Sequence, residues 1–152
     1  IARDTIMLFV GGTEQEIREY EKFAQTEGVS ERCLFFGRKK TRELARYEQA
    51  ADALAIPYPD QPHFRNYGFP MKVYEYMASG TPIIYSRLEL AEEVLSDCAF
   101  SFAPDDAADF ARAVKTVLGD ADTAGHRARM ARVKVAQYTW NKKAERIVQF
   151  LR

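Results

Sequence analysis

Five short apolar runs alternate along the chain with amphipathic segments whose apolar residues recur at helical spacing. Continuous apolar runs of this length are typical of strands buried on both faces of a parallel sheet, and the helical segments supply the crossover connections. The runs cover residues 5–10, 33–37, 53–57, 83–86 and 99–103. The pattern therefore predicts an α/β fold with a doubly wound, Rossmann-like parallel sheet and flanking helices.

Local signals predict where the helices begin and end. Thr13 and Glu16 form a capping box, which predicts a helix that runs to about Gly28. The segment that contains Pro62 reads as a polar loop, and Trp140 is expected to pack as the anchor of the last helix. Further helices are expected over residues 41–52, 89–95, 105–119, 121–137 and 140–151.

The segment from Gly68 to Pro82 carries the strongest functional signal. It turns through Gly68 and Pro70, continues as a helix that stops at Gly80, and then enters an apolar strand. The start of a helix presents free N–H groups and the positive end of a dipole, which together favour a phosphate. Glu75 lies about one and a half turns further on, where a carboxylate can accept hydrogen bonds from sugar hydroxyls. This arrangement predicts a site for a diphosphate attached to a ribose.

Four stretches, in the same order along the chain, resemble the C-terminal, donor-binding half of a family-4 (group 1) glycosyltransferase of the GT-B fold. They lie at residues 8–12, 34–57, 70–84 and 138–140, so the resemblance covers nearly the whole chain. It implies retaining transfer of a sugar from a UDP-, GDP- or ADP-sugar donor to an acceptor hydroxyl. It also implies that no cofactor is used and that no metal is normally needed.

The resemblance implies roles for individual residues of the donor loop and its helix. Glu75 corresponds to the second glutamate of the family motif and is expected to hold the ribose hydroxyls. Backbone groups of Phe69, Met71 and Lys72 are expected to grip the distal phosphate and the donor sugar, and Gly68 opens the same loop. The side chain of Lys72 would add positive charge there, although an exposed lysine at a helix start is an equal alternative.

Other positions depart from the family pattern or lie outside the helix. Tyr67 stands where the first glutamate of the motif is expected, and Pro70 replaces the usual glycine. Arg38 follows the second strand, where the family contacts the nucleobase; a solvated turn is the alternative reading. Tyr58 begins the loop that is expected to line the donor cleft.

The beginning of the chain also differs from the family pattern. Domains of this kind begin with a strand and a basic turn, whereas residues 1–4 resemble the end of the helix that follows that turn. We therefore expect a single nucleotide-sugar-binding domain, residues 1–152, that is a fragment of a larger enzyme and inactive alone. Its catalytic residues stay unassigned because the acceptor-binding N-terminal half would supply them. The missing strand would expose apolar surface, so we expect the strands to close up or the chain to self-associate.

Two other functions are compatible with these residues. A GT-B-like sugar-nucleotide epimerase would also bind a nucleotide-sugar, but it needs acid–base residues that the segment does not show. A non-catalytic nucleotide-binding or assembly module is consistent with Tyr67 in place of a carboxylate. Titration with UDP, GDP and ADP separates the donor-binding reading from the module.

Composition bears on partners and location. Basic and acidic residues number 22 each, so no overall field attracts nucleic acid. Cys33 and Cys98 lack the spacing of metal ligands and read as free thiols of a reducing compartment. No apolar run is long enough for a membrane span. The sequence therefore predicts a cytoplasmic protein, with peripheral membrane contact through the missing half as an alternative.

Overall fold

The computed structural model describes residues 5–67 and 71–151. The chain divides into two compact units, Ile1–Tyr47 and Glu48–Arg152, and each unit has its own sheet of parallel strands. Strands and helices alternate in both units, which confirms the predicted α/β class with parallel strands flanked by helices. Each strand lies within its predicted range and is up to two residues shorter.

The first unit is built on a two-stranded sheet. Strand β1 (Met7–Val10) pairs in parallel with β2 (Cys33–Phe36), and helix α1 (Glu14–Thr26) connects them. Helix α2 (Thr41–Ala50) follows β2 and continues into the second unit.

The capping box predicted at the start of α1 is confirmed. The Thr13 backbone N–H donates to Glu16 Oε2 at 2.6 Å, and the Glu16 N–H donates to Thr13 Oγ1 at 3.3 Å. Two of the otherwise unpaired groups at the helix start are satisfied in this way, so the local sequence fixes where α1 begins.

The second unit contains a three-stranded parallel sheet in the order β3–β4–β5. These strands span Leu54–Ile56, Ile83–Ser86 and Phe100–Phe102. All four residues of β4 are buried, as expected for a central strand covered on both faces. The chain passes from β3 to β4 through helices α3 (Pro62–Asn66) and α4 (Lys72–Ser79). The expectation of a loop at Pro62 was therefore wrong: Pro62 occupies the first turn of α3, where its missing N–H costs nothing.

The remaining helices flank this sheet and extend beyond it. Helix α5 (Glu89–Leu95) connects β4 to β5, and α6 (Ala107–Gly119) follows β5. Helix α7 covers Ala121–Lys134 and is followed by a 3₁₀ turn, Val135–Tyr138, so the helix predicted to reach residue 137 ends earlier. Helix α8 covers Trp140–Phe150.

Trp140 does not anchor α8 by burial. Its side chain is 74% exposed, and the Lys143 ammonium lies 5.3 Å from its ring centroid. The prediction of a packing anchor was therefore wrong. The same ammonium also lies 5.3 Å from the Tyr74 ring centroid, so Lys143 contacts both rings.

Side chains of β4 divide the core of the second unit into two layers. Ile83 and Tyr85 belong to the cluster that α4, α5 and α7 cover, whereas Ile84 belongs to the cluster that α6 covers. This division follows from the strand period of two, which points successive residues to opposite faces. Val73 and Met77 attach α4 to the first cluster, since neither has any exposed surface.

Several apolar side chains of the first unit are exposed. Leu8 and Phe9 are neighbours on β1, so they point to opposite faces of its sheet, and they are 50% and 44% exposed. Leu34 of β2 is 42% exposed. Self-association through such surface stays a prediction.

Among residues 5–67 and 71–151, no helix is long and apolar enough to cross a membrane.

Candidate functional site

Helix α4 begins near the edge of the sheet where β3 ends. Because β3 and β4 are parallel, the connection between them must bring the chain back from the carboxyl end of β3 to the start of β4. The Lys72 ammonium lies 5.4 Å from the ring centroid of Tyr58, which comes two residues after β3. The first turn of α4 therefore lies beside the loop that leaves the sheet, where open α/β sheets bind their ligands.

One face of α4 packs into the core, and the opposite face is exposed to solvent. Val73 and Met77, four residues apart, point into the core and have no exposed surface. Lys72 and Glu75, three residues apart, are exposed on the other side. The helix thus presents one cation and one carboxylate to solvent while its buried face fixes their position.

The start of α4 has no side-chain cap among the described residues. Met71 is the N-cap residue, with helical dihedral angles, and its carbonyl accepts from the Tyr74 N–H at 3.0 Å. The positive end of the helix dipole lies at this end of α4 and favours an anion. The far end closes as predicted at Gly80, whose φ of 79° is a left-handed conformation that glycine adopts without strain.

A second carboxyl group near Glu75 was missed by sequence reasoning. Glu48, in the last turn of α2, is only 7% exposed. Burial, and then the charge of Glu75, raise its pKa above the ordinary value for a glutamic acid. Its position four residues after Leu44, on the inward face of α2, is the sequence signal that could have identified it.

The Tyr76 hydroxyl interacts electrostatically with both carboxyl groups. Burial raises the pKa of Tyr76 to about 12, with further contributions from Glu48, Tyr58 and Glu75. The backbone of Glu48 is held in place by Thr81, whose hydroxyl donates to the Glu48 carbonyl at 2.7 Å. Glu48 and Tyr76 therefore lie near the exposed Glu75 carboxylate.

The other predicted residues are placed as follows. Tyr67 lies in the turn after α3 and is 80% exposed, and its N–H donates to the His63 carbonyl at 3.0 Å. Gly68 and Phe69 lie outside the described residues, as does the turn that they were predicted to form. The structure thus brings Lys72 and Glu75 to one exposed helix face next to the loop after β3.

Arg38 belongs to the first unit. It is exposed after β2, and its charge is a minor contributor to the lowered pKa of Glu16, which is set mainly by the Thr13 backbone N–H. No group of three His, Cys, Asp or Glu side chains that could hold a metal ion occurs among the residues described.

Comparison with known proteins agrees with the fold. The sequence matches the model of the family "Glycosyl transferases group 1" over residues 1–120, so the chain belongs to this family. It is 27% identical over 134 residues to a D-inositol 3-phosphate glycosyltransferase of Corynebacterium urealyticum, which is 87% of this chain and 30% of the relative. The chain thus spans less than a third of that relative's length.

Solved structures show the same fold. A sucrose-phosphate synthase from Thermosynechococcus elongatus superposes with a TM-score of 0.80 at 27% identity, over 95% of this chain and 37% of that one. The Anabaena protein Alr3699/HepE, solved in complex with UDP, superposes with a TM-score of 0.79 at 19% identity, over 99% of this chain and 41% of that one. These likenesses confirm the resemblance to the GT-B glycosyltransferases.

Proposed function

We propose that this chain is the donor-binding part of a retaining glycosyltransferase and that it holds a nucleotide-sugar at the start of α4. The observation that carries the proposal is that Lys72 and Glu75 share the exposed face of α4 and that Lys72 lies beside Tyr58, in the loop after β3. A cation and the positive end of a helix dipole suit a diphosphate, and a carboxylate one turn later suits the vicinal hydroxyls of a ribose.

The residues would act on different parts of the donor. The N–H groups of the first turn and the Lys72 ammonium would bind the diphosphate oxygens, and the Glu75 carboxylate would accept hydrogen bonds from ribose hydroxyls. Met71, Gly68 and Phe69 would contribute backbone groups around the phosphate and sugar. Arg38 and Tyr67 stay candidates for contacts with the base and the sugar.

Binding of this kind would also serve the chemical step. In sugar transfer the bond between the anomeric carbon and the diphosphate oxygen breaks, and the acceptor hydroxyl oxygen bonds to that carbon and loses its proton. Negative charge then builds on the leaving diphosphate, where the N–H groups and Lys72 stabilise it in place. The groups that receive the proton and bind the acceptor are assigned to the remainder of a larger parent enzyme.

Family membership and one structural neighbour support this proposal. The family is one of glycosyl transferases, and the Anabaena neighbour has been solved with UDP, with UDP-glucose, and with UDP and glucose. The donor class that we propose, a nucleoside-diphosphate sugar, matches those ligands. We further propose that the parent enzyme builds a polysaccharide or a related glycoconjugate.

The ribose contact gives the most specific test. Calorimetric titration with UDP, GDP and ADP identifies the nucleotide that binds, and the same nucleotide in its 2′-deoxy form reports on Glu75. We expect Glu75→Ala to weaken binding of the ribonucleotide by about 10- to 150-fold, which corresponds to hydrogen bonds with a charged partner. The variant should also lose the preference for the ribonucleotide over its 2′-deoxy analogue.

Glu93 provides the matched control. It is an exposed glutamate on α5, so Glu93→Ala removes a carboxylate of the same kind outside α4 and should leave both affinities unchanged. A chain that binds none of the three nucleotides would refute the proposed function. If the unchanged chain and Glu75→Ala prefer the ribonucleotide over its 2′-deoxy form to the same extent, the role of Glu75 is refuted.

A further inference from the structure

The loop that leaves β3 determines where Tyr58 lies, and Tyr58 contacts Lys72. This loop, residues 57–61, leads into α3, whose Phe64 ring stacks on Tyr58 with ring centroids 4.6 Å apart. Tyr58 therefore contacts both Phe64 on α3 and the Lys72 ammonium on α4. Any contact that fixes this loop also helps to fix the candidate site.

One such contact comes from a residue far away in the sequence. Asp105 follows β5, and its Oδ2 accepts a hydrogen bond from the Asp60 backbone N–H at 2.9 Å. Since β3 and β5 flank β4, this bond connects the loops at the carboxyl ends of the two outer strands. It holds the middle of the loop after β3 against the second loop.

The contact continues from Asp60 into α3. The Asp60 carboxylate accepts two hydrogen bonds from the guanidinium group of Arg65, which also lowers the pKa of Asp60 and keeps it ionised. A series of direct contacts thus connects Asp105, through Asp60 and α3, to Tyr58 and then to Lys72. We call these contacts the Asp105 latch.

Asp105 adopts a left-handed backbone conformation, which aspartate tolerates better than most residues with a Cβ. Its φ is 59°, and the other described residues with positive φ are glycines. A residue with a Cβ is disfavoured in this conformation, and glycine would make the same turn more easily. The cap of α6 does not need Asp105 either, because Asp106 accepts from the Asp109 N–H at 2.9 Å. The bond to the Asp60 N–H is the contact that an aspartate supplies and a glycine does not.

We propose that Asp105 is a positioning residue for the nucleotide-sugar donor, because its carboxylate holds the loop after β3 in the arrangement that presents Tyr58 and Lys72. The proposal rests on the proposed function of the α4 site. Asp105 itself touches neither the phosphate nor the sugar. Its effect is on the fraction of molecules in which the loop is ready to bind, and that fraction scales the apparent affinity.

Substitution of Asp105 by glycine separates the effect of the latch contacts from the effect of the backbone turn. Asp105→Gly keeps the left-handed turn and loses the acceptor, whereas Asp105→Asn keeps an acceptor oxygen on a residue that tolerates this conformation. We expect Asp105→Gly to bind the nucleotide about three- to tenfold more weakly, as the loss of one hydrogen bond predicts. Asp105→Asn should restore the affinity.

Hydrogen exchange of the free chain gives a reading that does not depend on a ligand. The amides of Asp60, Gln61 and residues 63–67 should exchange faster in Asp105→Gly by a similar factor, and at the original rate in Asp105→Asn. Unchanged exchange, or unchanged affinity in Asp105→Gly, would overturn the latch. If Asp105 served only the turn, Asp105→Gly would change the stability of the chain and leave both the amide exchange rates and the nucleotide affinity unchanged.

The outcome also separates this inference from the proposed function. If Glu75→Ala weakens nucleotide binding and Asp105→Gly does not, the donor site stands and the latch is refuted. If the unchanged chain binds no nucleotide, the proposed function fails and a role for Asp105 in donor binding fails with it.

Discussion

Met77 connects the candidate site to the core, and its truncation is the most direct test of that connection. The side chain has no exposed surface and packs in the cluster that joins α4 to Ile83 and Tyr85 of β4. Glu75 lies on the opposite, exposed side of the same helix. We expect Met77→Ala to destabilise the chain strongly and Glu75→Ala to leave its stability nearly unchanged.

The magnitude follows from complete burial. Replacing a buried methionine by alanine costs about 2–5 kcal/mol, from lost transfer free energy and from the cavity that remains. Helix propensity adds nothing to this loss, since alanine is the best helix former. At about 3 °C per kcal/mol for a chain of this length, the melting temperature should fall by about 6–15 °C. For the exposed Glu75→Ala we expect a change within about 0.5 kcal/mol.

The assay is urea unfolding followed by circular dichroism, with calorimetry for the melting temperature. Met77→Leu is the matched control, because it conserves volume and should cost less than about 1.5 kcal/mol. A loss below about 1 kcal/mol in Met77→Ala would refute the reasoning, since the position could not then be a close-packed anchor of α4. A large loss in Glu75→Ala would equally show that the helix does not divide its faces in this way.

Two further predictions concern buried titratable groups. Glu48 keeps its proton to higher pH in the folded chain than in the unfolded chain, so stability should fall as pH rises above the ordinary value of 4.5. Glu48→Gln should therefore gain stability relative to the unchanged chain as the pH rises from about 4 to 7.5, which urea unfolding at each pH measures. A stability difference between the two chains that does not change with pH would contradict this prediction. Burial raises the pKa of Cys98 to about 11, so a thiol reagent at about pH 8 should modify the half-buried Cys33 and reach Cys98 only after unfolding. Mass spectrometry counts the labelled thiols, and modification of Cys98 in the folded chain would contradict the prediction.

Local sequence determined the elements and the family. The apolar runs became parallel strands, Thr13 and Glu16 formed the capping box at the start of α1, and Gly80 ended α4 in a left-handed conformation. Each of these features depends on residues that are close together in the chain, so a pattern of a few positions carries the physical cause. The spacing of Lys72 and Glu75 likewise determines that both lie on one face of their helix, because residues three apart are neighbours on a helix surface.

Tertiary structure decided the features that join distant parts of the chain. The sequence did not indicate that Glu48 is buried near Glu75, that α3 replaces the expected loop, or that Asp105 bonds to Asp60 forty-five positions earlier. The bond between Asp105 and Asp60 arises where parallel strands bring their carboxyl ends to one edge of a sheet, and no local pattern records which loops meet there. Trp140 shows the converse, because an aromatic residue that was predicted to be a packing anchor is 74% exposed in the folded chain. Composition and spacing thus determined which segments are strands and which are helices. Packing determined which charged and aromatic side chains contact one another, because burial and long-range contacts exist only in the folded chain.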